Sequence, residues 1–153
     1  MIKQIVNLFR LLYIKKELFI IMDKTKERIE YWLDLANYDL VTAKVMLESK
    51  RYLYLGFMCH QVIEKSIKAY FWHVKKSDPP YSHNLLVLSD KSTLENLLSS
   101  EQKIFLNELM PLNLQARYPN DKLAMLKTLN YNKSRTILKR TKEFYKWIKI
   151  LLK

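Results

Sequence analysis

A chain of 153 residues with a single glycine has few ways to turn tightly. Type I′ and II′ hairpins need residues at positive φ, and phosphate-cradling loops need glycines that let a ligand approach the backbone. Both are nearly excluded. No alternating run of β-branched residues is present. With 49% apolar and 27% charged residues, the pattern predicts an all-α soluble protein. The length suits one domain with a substantial core.

Apolar periodicity orders the helices. Trp32, Ala36, Leu40, Ala43 and Leu47 form one stripe, which predicts a first helix over about 24–49. A second runs over about 52–75 and is stopped by Asp78, Pro79 and Pro80. Leu85 opens a short apolar segment, and Ser92 with Glu95 forms a capping box that should start another helix. Its core face is Leu97, Leu98, Phe105 and Leu109, and Pro111 ends it. Residues 112–131 read as a long connection. A last helix over about 132–152 turns Ile137, Phe144, Ile148 and Leu151 inward. The sum is an up-and-down bundle of four or five helices.

Residues 1–21 stand apart from the domain at 22–153. They begin like a secretion signal, but Arg10, Lys15, Lys16 and Glu17 interrupt the apolar run and no small-residue cleavage site follows. The run is too broken to span a bilayer. Two readings remain: upstream sequence before a natural start at Met22, or an amphipathic helix that packs on a partner or a membrane surface.

The lone Cys59 has no partner for an intrachain disulfide, which fits a reducing, cytoplasmic compartment. Zinc-ligand spacing is absent around it, so no metal or cofactor is expected. The formal charge is +12. Such a balance suits a nucleotide, RNA or acidic-protein partner, or simply a well-solvated surface. Lys139, Lys142, Lys146 and Lys149 line up along the last helix. They form either a solvated face or a track for phosphates, with Tyr145 and Trp147 as stacking platform or core.

The most informative stretch lies in the second helix. His60, Glu64 and Lys68 are spaced i, i+4, i+8 and stack on one side. At about 100° per residue, His60 and Glu64 fall inside the stripe of Leu53, Phe57, Ile67 and Phe71. Burial there is costly unless the groups find partners. Either they satisfy one another or they make a site. His83, just before the next helix, caps that helix, bonds back into the bundle or serves a ligand. Arg117, beside Tyr118 and Pro119, suits phosphate or carboxylate recognition, or clamps Glu64 or Asp39. Tyr118 either stacks on a base or fills the core.

Four motifs then occur in order. They are Trp32-x3-Ala36-x2-Asp39-Leu40-x2-Ala43, His60-Gln61-x2-Glu64-Lys65-x2-Lys68-Ala69, Ser82-His83-Asn84-Leu85 and Ala116-Arg117-Tyr118-Pro119-Asn120. Together they resemble the HEPN family over nearly all of the chain beyond the N-terminal segment. The resemblance implies a helical bundle that usually forms a homodimer. It also implies a partner minimal nucleotidyltransferase and a toxin–antitoxin or nucleotide-related setting. Ribonuclease members carry an Arg, then four to six residues, then a His for general acid–base chemistry. Here Arg117 is followed at the reachable positions by Lys122, Leu123 and Ala124, and Arg28, Arg51, Arg135 and Arg140 fare no better. The chain resembles instead the branch with Arg-Tyr-Pro before the last helix. The expectation is a non-catalytic module with His60, Glu64, Lys68, His83, Arg117 and Tyr118 as ligand site or polar network. The rivals are an RNase toxin using His60 or His83 with Arg117, and a plain dimeric interaction module.

Overall fold

A computed structural model describes residues 2–115 and 117–153, the first four of these by backbone alone. Ala116, part of the fourth motif, lies outside the described residues. The helices are α1 (Ile2–Glu48), α2 (Tyr52–Lys75), α3 (Leu85–Lys91), α4 (Ser100–Leu109), α5 (Lys122–Thr128) and α6 (Tyr131–Leu151). No strand occurs among the described residues.

α1 and α2 form an antiparallel hairpin closed by Ser49, Lys50 and Arg51, with Lys50 at φ 58°. α2 is the central helix: α1 and α6 flank it, and the shorter α3 and α4 close its remaining sides. That centrality explains its burial. From Val62 to Trp72 only Lys65 escapes the buried class. The core joins Ala36, Leu40 and Ala43 of α1 to Leu55, Ile63 and Ile67 of α2, Phe105 and Leu109 of α4, and Ile137, Phe144 and Ile148 of α6. The only glycine, Gly56, sits where Leu112 and Leu129 cross α2. A Cβ there would meet their side chains at 3.1 and 3.3 Å.

Three elements differ from the sequence expectation. The first helix begins at Ile2, because nothing around Met22, Asp23 and Lys24 breaks or caps it. The second difference is the capping box at Ser92, which does not start a helix. Ser92 closes α3, Thr93 takes the left-handed conformation at φ 64°, and a 3-10 turn follows over Leu94–Leu97. That reversal buries Leu94 in the core and leaves Leu97 51% exposed, outside it. α4 starts at a second box seven residues on, where Ser99 accepts from Gln102 N and the Gln102 side chain accepts from Ser99 N. Third, the connection before the last helix is not featureless. It holds a 3-10 turn (Met110–Asn113) and α5, capped by Asp121 accepting from Ala124 N.

Candidate functional site

The i, i+4, i+8 spacing on α2 stacks His60, Glu64 and Lys68 one turn apart, and the central position of α2 buries all three. They are 0%, 2% and 8% exposed. Lys68 Nζ donates to Glu64 Oε1 at 2.7 Å. Its ammonium also lies 5.1 Å from the centre of the Trp32 ring on α1, a cation–π contact that helps offset its desolvation. The loop between α2 and α3 supplies the other partner: His83 Nδ1 lies 3.1 Å from both oxygens of Glu64. His83 itself remains half-exposed, with the fully exposed Tyr81 edge-on to it at 6.0 Å.

His83 is not the cap of α3. That role belongs to Asn84, whose side-chain oxygen accepts from Leu86 N and Val87 N, while Ser82 Oγ accepts from Asn84 N. These three local bonds fix the loop and aim His83 back at α2.

His60 is less well served. Its Nδ1 stands 3.8 Å from Glu64 Oε2, and neither ring nitrogen has a hydrogen-bond partner. Burial pushes its pKa down to about 4. Glu64 and the nearby His83 backbone pull upward, while the charges of His83 and Arg117 add to the lowering. The imidazole is therefore neutral at pH 7. Burial pushes the Cys59 thiol up to about 12, which removes it as a nucleophile.

Arg117 lies exposed in the connection. Its guanidinium stacks 4.7 Å from the Phe57 ring and 5.7 Å from that of Tyr118, and its Nε donates to Asn113 O at 2.8 Å. It pairs with neither Glu64 nor Asp39. Asp39 takes Lys65 instead. Tyr118 is 71% exposed and fills no core space. Lys139, Lys146 and Lys149 are exposed and Lys142 is half-buried along α6, separate from this cluster. Tyr145 is buried with its hydroxyl donating to Leu33 O, and Trp147 packs edge-on against Phe144 at 5.3 Å. Neither forms a free stacking surface.

Two features escape sequence reasoning. Arg28 lies between Tyr31 and Trp72, 5.0 and 5.7 Å from their ring centres, and reaches Asp78 at 3.4 Å. A cleft of about 560 Å³ opens beside the Arg117 segment, walled by Leu112, Gln115, Pro119, Asn120, Met125 and Leu129. Arg28 and Trp72 are 44 residues apart, so no local signal joins the first feature. The cleft exists only because α5 forms. Among the described residues no group of His, Cys, Asp or Glu is arranged to hold a metal ion.

The HEPN domain model matches residues 29–151. A crystal structure of an archaeal HEPN homologue is similar to this chain with a TM-score of 0.59 at 19% identity. The match covers 82% of this chain and 98% of that one. No curated protein matches significantly. The chain belongs to the HEPN domain family. Residues 1–28 precede the family match, and none of the described helices is long and apolar enough to cross a membrane.

Proposed function

We propose that this chain is a HEPN accessory module. It acts in the cytoplasm as a homodimer with a partner minimal nucleotidyltransferase, in a toxin–antitoxin-like setting, and presents or binds a nucleotide. The observation that carries the reading is the half-open cluster on α2. A buried carboxylate holds Lys68 inside and the exposed His83 at the rim, while Arg117 lies on an aromatic face nearby and pairs with no carboxylate among the described residues. Fixed cations around a neutral histidine suit an anionic ligand better than proton transfer. The +12 charge favours the same class of ligand.

Arg117→Ala is expected to leave the melting temperature of the free protein nearly unchanged, because the side chain is exposed. It should remove the stabilisation by added ATP or GTP, which at a hundredfold excess over Kd amounts to about 2.7 kcal/mol. A thermal-shift series on both proteins measures this. Wild type unmoved by either nucleotide would leave the plain interaction module as the better reading.

The His83–Glu64 pair favours one alternative, RNA cleavage with His83 as base and Arg117 on the phosphate. Against it stands the missing His after every arginine named above. The purified protein is expected not to degrade single-stranded or structured RNA in EDTA. Degradation lost on His83→Ala or Arg117→Ala would reverse the assignment.

A further inference from the structure

Every residue from Val6 to Lys24 is exposed, although the segment is strongly apolar. Phe9, Phe19 and Met22 are about 70% exposed at 69%, 70% and 70%, and Val6 and Leu12 are 58% and 55% exposed. The stretch of α1 from Val6 to Ile20 projects about 22 Å beyond the bundle, at about 1.5 Å per residue. α2 ends alongside its base, where Lys24 lies 5.9 Å from the Trp72 ring. At that base Ile21, Met22, Ile29, Leu33 and Leu152 line an apolar groove of about 730 Å³. Lys24 and the groove's own Lys26, Lys76, Lys149 and Lys153 surround it as a basic collar, with Glu30 the only acid in its lining.

The distribution of residues selects among occupants. Leu11, Leu12, Tyr13 and Ile14 are consecutive and all exposed, so at that turn apolar surface wraps most of the circumference. A single partner helix would cover one stripe and leave the rest in water. Arg10, Glu17 and Lys24 recur at intervals of seven and mark one polar line along the rod. A second copy of the chain would bring Arg10, Lys15, Lys16 and Lys24 against the same cations or the lysine collar, relieved only by Glu17 and Asp23. An anionic lipid leaflet answers both features. It receives a wide apolar arc, and its phosphates complement the cations. Lys15 and Lys16 have stems long enough to place their ammonium groups among headgroups while the neighbouring side chains are immersed.

We propose that residues 6–24 form a peripheral anchor lying in the interface of an anionic bilayer, with the lysine collar of the bundle seated on lipid phosphates. The attachment is reversible and crosses nothing.

Flotation of the full chain with phosphatidylcholine vesicles containing about 30% phosphatidylglycerol tests this, against pure phosphatidylcholine. The protein should float with the anionic vesicles about tenfold more strongly, and about 0.5 M salt should reduce that preference. Leu12→Glu with Phe19→Glu should abolish flotation. Lys15→Glu with Lys16→Glu should remove the anionic preference. Because these side chains are exposed, both variants should keep the wild-type helical signal and melting temperature, which separates lost anchoring from lost folding. Wild-type flotation by the Leu12/Phe19 variant would overturn the proposal, since the basic bundle alone would then be responsible. Wild type that stays in the aqueous fraction would also overturn it. Self-association lost in the same variant would then assign the helix to a protein interface.

Discussion

Glu64→Ala is expected to destabilise the fold by about 3 kcal/mol or more, because it leaves a buried ammonium without its counter-ion. Lys68 is 8% exposed, and among the described residues its ammonium hydrogen-bonds to Glu64 alone. The Trp32 face offers partial compensation, not replacement. For a domain of this size the loss corresponds to a fall of roughly 6–12 °C in melting temperature. Chemical denaturation of Glu64→Ala, Lys68→Met and the double variant isolates the pair. The double variant should recover much of the loss, since a removed pair leaves no charge stranded. A Glu64→Ala protein within about 1 kcal/mol of wild type would mean that solvent reaches Lys68 and that the cluster is loosely held.

The second large effect is on the acid side. The ordinary histidine pKa of 6.5 applies to the unfolded chain, and burial lowers that of His60 in the fold to about 4. Between those values the unfolded state binds the extra proton, so folding weakens as pH falls from about 6.5 towards 4. The full shift is worth about 3 kcal/mol, at 1.36 kcal/mol per unit. At pH 7 this penalty is absent. His60→Leu should remove that part of the pH dependence. It should also be neutral or mildly stabilising at pH 7, because both ring nitrogens are buried without partners. Urea denaturation of both proteins from pH 4 to pH 8 measures the difference and cancels the contributions of the carboxylates. Parallel curves for wild type and His60→Leu would show that His60 gains a partner on protonation.

α2 was the most legible part of the chain. Its end is dictated by Asp78, Pro79 and Pro80, and its ionisable groups stand out against an apolar stripe by spacing alone. The capping boxes show the limit of local signals. Ser92 with Glu95 and Ser99 with Gln102 satisfy the same rule. Burial of Leu94 decides between them, and that is a property of the packed bundle. α5 was hidden because it is short and buries no side chain fully, so it lacks the long apolar stripe that marks the longer helices. Arg117 carried a motif, yet its partner is the π-face of Phe57, 60 residues earlier, and not a carboxylate. Charge complementarity suggests acids first, and an aromatic partner from another helix leaves no trace in spacing.

The contact between Lys68 and Trp32 has a mechanical consequence. Two smooth antiparallel helices of this length can slip past one another by a turn of about 5.4 Å and still bury leucines. Here the ammonium would leave the indole face while remaining tied to Glu64. The cation therefore works as a detent: it admits one register of α1 on α2 and rejects its neighbours. Since α1 is continuous from Ile2 to Glu48, whatever grips its projecting half pulls directly against that detent.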